Sequence, residues 1–491
     1  MLILKKINET MMQYFEWYLK PEDNLWQKTV AQAEYLSSLG ITAIWLPPAY
    51  KGAAGINDTG YGVYDMYDLG EFNQKGTIRT KYGTKEDYLE AIKVLKANNI
   101  KVFSDVVFNH KIGADEAEDV IATEDNSYNR NQDISEPRTI KAWTKFNFDG
   151  RNNKYSTFKW NWTHFHGVDW DEITQKKGIF KFYGKHWDES VDKENGNFDY
   201  LMGADVDLNN VDVADEFLAW AKWYITTTNV DGFRLDAIKH IRSSFFLKFL
   251  EDLEKEIGKP IPTVGEYWSG NLDVLNNYLK ETKESIKLFD VPFHYNLFNA
   301  SNSNGNYDMS SILDNTLAKS NPDMAVTFVD NHDTEVGQSL ESFIQPWFKP
   351  LAYSLILLRE GGTPCVFYGD YYGIPEKNIE PQKDILEKLL KARKYFAYGK
   401  QNDYFDNPNI IGWTREGNLE HKYSGMAVIM SDNIGGSKIM NVGKRLAGSI
   451  LYDYTGNVKE PIYIDQDGNG IFYCNGGSVS VWVKKETIFD S

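Results

Sequence analysis

The stretch Val230-Asp-Gly-Phe-Arg-Leu-Asp236 is a short apolar run that ends on a carboxylate. Two more runs share this pattern, Thr263-Val-Gly-Glu-Tyr-Trp268 around Glu266 and Val326-Thr-Phe-Val-Asp-Asn-His-Asp333. A near-continuous apolar run of this length is typical of a parallel strand that is buried on both faces. The carboxyl ends of such strands meet at one edge of the sheet, so the pattern predicts an α/β fold with a polar site there.

Eight runs of this kind alternate with segments of helical periodicity between about residue 11 and residue 400. The runs are 11–17, 41–47, 101–108, 230–236, 262–267, 286–292, 324–330 and 363–368. Eight such units predict a (β/α)₈ TIM barrel, whose catalytic groups gather at the C-terminal strand ends. A doubly wound sheet is the alternative fold, but no glycine-rich phosphate loop follows any of the runs.

The alternation of predicted strands and helices stops over residues 109–212, which are polar and contain five of the tryptophans. A structureless loop of that length is uncommon in a compact domain, so this segment predicts an inserted domain B after strand three. From residue 403 to 491, short strands between Gly, Asn and Asp turns predict a C-terminal antiparallel β-sandwich, domain C. The barrel, domain A, then comprises 1–108 and 213–402.

Composition narrows the classes of partner. Of the 491 residues 42% are hydrophobic and 25% are charged, which predicts a packed core. The net charge of -17 opposes binding to nucleic acid or to an anionic membrane surface. No stretch approaches the roughly 20 apolar residues of a membrane span, and the apolar run after Met1 is too short for a signal peptide. We therefore expect a soluble cytoplasmic protein, and we expect it to be a monomer.

Arg234 and Asp236 share one face of their strand, and Phe233 and Leu235 share the other. The polar pair should face the barrel axis, where the guanidinium keeps the carboxylate ionised, as a nucleophile requires. Taken alone, this pair is explained equally well by a structural ion pair in the barrel lumen. The other two strand-end acids favour catalysis.

The other two acids suit different roles. Glu266 precedes Tyr267-Trp268, and a carboxyl against aromatic surface should have a raised pKa, which suits it to donate a proton. Asp333 is expected to hold substrate hydroxyls and to stabilise positive charge. Neighbouring strands lie about 4.8 Å apart, and a retaining glycosidase needs its two carboxyl groups about 5–5.5 Å apart. Asp236 and Glu266 at the ends of strands four and five therefore predict retention.

Histidines and hard oxygen ligands also cluster near these ends. His110, His240 and His332 lie just beyond strand ends and are predicted to be donors in the site. Four oxygen-bearing side chains favour calcium over zinc, because no thiol or histidine pair accompanies them. These are Asn109, Asp199, Asp205 and Asp207. A solvated acidic loop would explain residues 197–207 equally well.

Four segments in this order and spacing resemble those of the α-amylase family of glycoside hydrolases, family thirteen. They are Asp105-Val-Val-Phe-Asn-His110, Gly232-Phe-Arg-Leu-Asp-Ala-Ile-Lys-His240, Gly265-Glu-Tyr-Trp268 and Phe328-Val-Asp-Asn-His-Asp333. Nearly the whole chain is similar to the bacterial liquefying members, in particular to their intracellular branch. The resemblance implies a barrel with inserted domain B and a C-terminal β domain, and endo-hydrolysis of α-1,4-glucosidic bonds in starch, glycogen or maltodextrins with retention.

The resemblance also implies roles for individual residues. Asp236 corresponds to the nucleophile, Glu266 to the general acid/base and Asp333 to the residue that stabilises the oxocarbenium-like state. The positions that match substrate-binding residues are Tyr61, His110, Arg234, Lys239, His240, Trp268 and His332.

A structural calcium is implied as well. Its ligands would be Asn109, Asp199, Asp205 and the backbone carbonyl of His240. Asp188 and Asp207 match a neighbouring cluster of several metals that liquefying relatives often carry. His166 stands where an Asp is usual, and Asn209 replaces another acid. The loss of two negative charges should weaken further cations, so one calcium is expected.

Three other functions compete with glucan hydrolysis. A transglycosylase would form the same covalent intermediate and deliver it to another sugar. A non-catalytic glycan-binding protein on this fold would be expected to have lost one of the three acids. Hydrolysis driven by a metal in the Asp, Asn and His clusters would require that metal at the reacting bond.

Overall fold

The computed structural model describes residues 7–485, and in it eight parallel strands close into a barrel. They are β1 (Met11–Gln13), β2 (Ala43–Leu46), β3 (Lys101–Val106), β4 (Gly232–Leu235), β5 (Thr263–Gly265), β6 (Lys287–Phe289), β7 (Ala325–Phe328) and β8 (Thr363–Phe367). Each strand pairs with its neighbour in the sequence, and Met11 beside Cys365 closes the ring. The TIM barrel prediction is confirmed, and the doubly wound alternative is wrong.

The strands are shorter than the apolar runs that predict them. The run 11–17 contains a strand only at Met11–Gln13, and the run 324–330 only at Ala325–Phe328. Beyond β1 the apolar residues leave the ladder and pack at the barrel mouth. Phe15 contacts Trp45 with ring centroids 5.3 Å apart, for example. The polar residues that follow therefore lie on short segments above the barrel.

Helices surround the barrel and cover its outer face. They are α1 (Leu25–Leu39), α2 (Lys85–Ala97), α3 (Val211–Thr228), α4 (Ser243–Ile257), α5 (Leu272–Glu281), α6 (Val291–Asn302), α7 (Leu317–Ser320), α8 (Lys349–Leu358), α9 (Tyr368–Tyr372) and α10 (Lys383–Tyr395). Phe233 on β4 packs against Trp220 and Tyr224 of α3. Its neighbour Arg234 must then point toward the barrel axis, because side chains alternate along a strand.

The polar stretch between β3 and α3 contains a seven-stranded antiparallel sheet. Its strands are His110–Lys111, Glu116–Asn126, Asn129–Asp133, Arg138–Lys145, Phe165–Asp171, Lys176–Phe182 and Ala204–Val206. The first strand pairs with the last, so that Asp205 lies opposite His110. This pairing returns the chain to the place where it left the barrel.

The chain after α10 forms a six-stranded antiparallel sheet with a two-stranded ribbon packed on it. The sheet consists of Gln401–Tyr404, Ile410–Arg415, Met426–Ser431, Ile450–Asp453, Ile462–Tyr463 and Ser478–Lys484. The ribbon consists of Gly436–Asn441 and Asn469–Cys474. The predicted C-terminal antiparallel β architecture is confirmed.

None of the helices between residues 7 and 485 combines the length and the apolar character that a membrane crossing requires. The expectation about a signal peptide concerns residues 1–6, which lie outside the described residues.

Candidate active site

One buried guanidinium, that of Arg234, contacts three carboxylates at the C-terminal mouth of the barrel, those of Asp105, Asp236 and Glu266. Arg234 Nη1 donates to Asp236 Oδ1 at 2.6 Å and to Asp105 Oδ1 at 3.0 Å. Its Nη2 lies 2.9 Å from Glu266 Oε2, at an angle that makes this an ion pair and not a directed hydrogen bond. The predicted orientation of Arg234 and Asp236 is therefore observed, with two more carboxylates around the same cation.

Glu266 lies on the segment that follows β5. Its Oε2 accepts the backbone N–H of Ala237 at 3.1 Å, and its side chain is 7% exposed. Burial raises the pKa of Glu266 to about 8, although the charge of Arg234 opposes the rise. The two aromatic residues that follow turn away, Tyr267 to Asp192 and Trp268 to Tyr295. Enclosure at the mouth, and not stacking on these rings, therefore accounts for the raised pKa.

Asp333 is the most open of the three acids, with a side chain that is 21% exposed. Burial raises its pKa to about 7, again against the charge of Arg234. The side chain of Asn331 accepts the backbone N–H groups of Asp333 and Thr334, each at 2.9 Å. This turn fixes the direction in which Asp333 points. His332 Nε2 lies 3.4 Å from Asp333 Oδ2.

Aromatic rings form one wall of the site. The ring of Tyr61 stacks on His332 with centroids 4.9 Å apart, and on Trp17 with centroids 5.9 Å apart. The Tyr61 hydroxyl donates to Asp105 at 2.8 Å, which links this wall to Arg234. His110 Nε2 contacts the Tyr61 carbonyl at 2.9 Å, and burial lowers the pKa of His110. Tyr61, His110 and His332 therefore lie close to the acids.

Lys239, His240 and Trp268 lie on the loops after β4 and β5, beside the acids and not in contact with them. Lys239 Nζ donates to Glu194 at 2.8 Å and lies 3.4 Å from the Trp268 carbonyl. His240 Nδ1 contacts the Phe198 carbonyl at 2.6 Å, and burial lowers its pKa to about 3. These three residues thus border the side of the site that faces residues 192–199.

The positions predicted to hold calcium converge beside this border. Asp205 is the ladder partner of His110, next to Asn109, and His240 contacts Phe198, next to Asp199. These positions supply hard oxygen atoms, which fit calcium. The ring of His166 lies among Asp199, Asp205 and Asp207, so these three acids have a partner within the chain. The backbone N–H of Asp188 donates to Asp199 Oδ2 at 2.9 Å, and Asp188 Oδ2 lies 3.5 Å from Arg242 Nη1.

A separate cavity of about 310 Å³ lies at the opposite mouth of the barrel. It is lined by strand starts, among them Met11, Ala43 and Thr263. The three acids are absent from its lining, so this cavity is not where the candidate chemistry lies.

Two residues of the site, Asp105 and Trp17, have no role in the predictions made from the sequence. Asp105, whose pKa burial raises to about 6, accepts hydrogen bonds from Trp45, Tyr61 and Arg234. It is the ladder partner of Arg234 and therefore faces the same way. Its position near the end of β3 was the available signal. Trp17 gave no such signal, since its place on the aromatic wall depends on the chain beyond β1.

Comparison with known proteins identifies the family to which this chain belongs. The family described as "Alpha amylase, catalytic domain" matches residues 26–419, and "Alpha-amylase C-terminal" matches 428–483. The chain belongs to the α-amylase family of glycoside hydrolases. The resemblance noted from the four segments is thus confirmed, and the function class is that of a glycosidase.

Two curated relatives and one solved structure illustrate the similarity. "Alpha-amylase" of Geobacillus stearothermophilus is 57% identical over 98% of this chain and 88% of its own. "Cytoplasmic alpha-amylase" of Escherichia coli (strain K12) is 42% identical over 98% of this chain and 100% of its own. The crystal structure of an Anoxybacillus α-amylase is 18% identical, with a TM-score of 0.64 over 98% of both chains, and supports the fold alone.

Proposed function

We propose that this enzyme hydrolyses internal α-1,4-glucosidic bonds of starch, glycogen or maltodextrins and retains the anomeric configuration. One observation carries the proposal: the carboxylates of Asp236 and Glu266 both contact the guanidinium of Arg234. Acids held by one cation lie side by side, which suits attack and protonation at a single bond.

In the first step, Glu266 donates its proton to the glycosidic oxygen while an oxygen of Asp236 attacks the anomeric carbon. The bond to the leaving sugar breaks, and a covalent glycosyl ester forms on Asp236. A pKa of about 8 keeps Glu266 protonated at neutral pH, as a general acid requires. Arg234 donates to Asp236 Oδ1 and fixes the position of this carboxylate.

In the second step, Glu266 takes a proton from a water molecule whose oxygen attacks the same carbon. The ester bond to Asp236 breaks, and the sugar leaves with its original configuration because two inversions have occurred. Asp333 binds sugar hydroxyls and stabilises the positive charge that develops on the ring in both steps. Its greater exposure suits direct contact with substrate.

The surrounding residues would bind the glucan chain. The Tyr61 ring offers an apolar face to a sugar, and His110 and His332 offer ring nitrogens near the acids. Lys239, His240 and Trp268 border the other side, where we place the leaving part of the substrate. The Glu194 carboxylate pairs with Lys239 and would shape that side.

We also propose one structural calcium, held by Asn109, Asp199, Asp205 and the backbone carbonyl of His240. These positions come from the segment after β3, from the last strand of the inserted sheet with the segment before it, and from the loop after β4, so a bound cation would link these parts of the chain. When bound, calcium supplies a fixed positive charge to these oxygen ligands. None of the proposed calcium ligands is one of the three reacting acids, and we assign the ion no part in bond cleavage.

We further propose the division into domain A (1–108 and 213–402), domain B (109–212) and domain C (403–491), whose last six residues lie outside the described residues. The separate sheets of the three parts support it. A cytoplasmic location is proposed from the relative of that printed name. An α-glucan as partner, a monomeric state and no nucleic-acid partner complete the proposal, the last supported by the net charge of -17.

The decisive experiment follows maltoheptaose and its products by chromatography, with proton NMR to identify the first anomer formed. We expect shorter maltooligosaccharides that appear first as the α-anomer. A β-anomer would refute retention, glucose and maltohexaose as the only early products would refute internal cleavage, and longer chains would identify a transglycosylase. Immediate loss of activity on chelation, without loosening of the fold, would favour metal-driven hydrolysis.

A further inference from the structure

The ring of His166 lies at the centre of a buried group of carboxylates. Nδ1 is 3.1 Å from Asp199 Oδ2 and 3.0 Å from Asp205 Oδ2. Nε2, on the other side of the ring, is 3.1 Å from Asp207 Oδ1. All four side chains are buried. The two ring nitrogens thus lie 3.0 to 3.1 Å from three carboxylates, all of them within residues 199–207.

Basic side chains complete the group. Lys185 Nζ donates to Asp207 Oδ2 at 2.5 Å, so both oxygens of Asp207 have a partner within the chain. Arg242 Nη1 lies 3.5 Å from Asp188 Oδ2. The side chain of Asp188 therefore also faces a positive group. Each of the four acids that could attract metal ions has a donor beside it.

We infer that His166, together with Lys185, takes the place of further cations in this group, so that the chain binds one calcium and no neighbouring metals. Calcium requires six to eight oxygen ligands at about 2.3–2.6 Å. The ring occupies the space between Asp199, Asp205 and Asp207 and uses one oxygen of each. Asp199 and Asp205 each keep a second oxygen, Oδ1, for the one site proposed above.

The expected count of one calcium per chain rests on the calcium site proposed above. The role of His166 does not depend on that count. The alternative use of the ring is as a ligand. Nδ1 or Nε2 of His166 and one oxygen each of Asp199 and Asp205 lie within 4.8 Å of one another and could hold a metal ion. A nitrogen among the ligands would favour a transition metal over calcium. Hydrogen-bond distances from both ring nitrogens to carboxylates favour the ring as donor.

The test counts metals per chain. Wild type, His166→Asp and His166→Asn are stripped with chelator, dialysed against calcium and sodium chloride, and analysed by plasma mass spectrometry and calcium calorimetry. We expect one calcium in wild type and at least one more bound cation in His166→Asp; a gain in His166→Asn as well would support the inference further, because that variant removes the ring alone. The Asn variant is the matched control, since it removes the ring without adding a carboxylate.

Two results would overturn the inference: two or more bound cations in wild type, or an unchanged count in His166→Asp. A wild type without calcium would refute the proposed calcium site, while a gain in His166→Asp would still support the role of His166. If His166→Asp does not fold, wild type and His166→Asn still decide, with cobalt(II) as probe. A ligand-field absorption band in wild type that disappears in His166→Asn would show the ring to be a metal ligand and refute the inference.

A second readout is independent of activity. Thermal unfolding is compared with and without chelator, because a ligand that binds only the folded state raises its stability. Wild type should lose the contribution of one ion, and His166→Asp should show a larger drop in Tm. Equal drops in the two proteins would contradict the replacement of cations by the ring.

Discussion

Replacing Glu266 with Gln should separate the stability cost of burying this acid from its contribution to catalysis. The amide oxygen of Gln can still accept the Ala237 N–H and lie beside Arg234, so the fold should be kept. The proton donor is lost, and general acid catalysis is worth about 10²–10⁴-fold in rate. We expect kcat/KM on maltoheptaose to fall by that factor, and to fall much less on an α-glycosyl fluoride, whose leaving group needs no proton.

The same substitution should stabilise the protein at alkaline pH. The pKa of Glu266 is about 8 in the fold, above its ordinary value of 4.5, so the folded state holds this proton more tightly. Below pH 4.5 the group is protonated in both states and has no effect. As the pH rises from 4.5 to about 8, wild type loses stability that Glu266→Gln, which cannot ionise, keeps.

The magnitude follows from the shift. A pKa rise from 4.5 to about 8 corresponds to roughly 5 kcal/mol as an upper bound, at about 1.4 kcal/mol per pKa unit. Relaxation of the buried site reduces this, and part of the effect is already present at pH 5, so we expect Glu266→Gln to gain roughly 2–4 kcal/mol over wild type between about pH 5 and pH 9.

Urea unfolding of both proteins at these two pH values measures the difference. Glu251→Gln, at a site where the side chain is 63% exposed, is the matched control for the loss of one carboxylate outside the site. The alkaline limb of the wild-type kcat/KM profile should have its midpoint near pH 8, because ionised Glu266 cannot donate a proton. A difference in stability that does not depend on pH, together with a limb elsewhere, would refute this account of Glu266.

Three further predictions concern other parts of the molecule. Asp236→Asn should lower kcat by roughly 10⁴-fold or more, while the circular dichroism spectrum stays unchanged. Trapping with a fluorosugar should label wild type only. Substantial residual turnover would refute the role of Asp236 as nucleophile. Glu335→Gln should raise the free energy of unfolding, and increasingly so above pH 4.5, because burial and the neighbouring Glu16 raise the pKa of Glu335. The Gln amide oxygen can still accept the Trp17 N–H. An unchanged urea midpoint at pH 8 would contradict this prediction. Chelation should lower Tm at once and activity only slowly, at a rate that follows the loosening of residues 188–207 in hydrogen exchange. If, at low temperature, activity were lost as fast as Tm falls, this would count against a structural calcium.

Much of the architecture was predictable because it depends on local patterns. Continuous apolar runs predict buried parallel strands, and eight of them predict a barrel. Alternation along β4 is enough to place Arg234 and Asp236 on one face, as the structure shows. The limits of strands were not predictable, since apolar residues such as Phe15 continue past the end of the ladder and pack at the mouth.

Some contacts depend on closure of the barrel and cannot be found from local patterns. Asp105 and Arg234 are 129 positions apart, yet they meet because β3 and β4 are neighbours in the ring. The pairing of Lys239 with Glu194 requires the return of the inserted segment to the barrel. The sequence indicates which residue types stand at strand ends, but it does not indicate which of them share a partner.

The amino-acid sequence alone determined the family, the barrel and the three acids at its strand ends, because apolar runs and the residues that end them are local properties. Only the tertiary structure decided that one guanidinium contacts Asp236, Glu266 and Asp105, and that the ring of His166 stands among three carboxylates. Electrostatic environment depends on distance and burial in three dimensions, and these are fixed only when distant parts of the chain pack together.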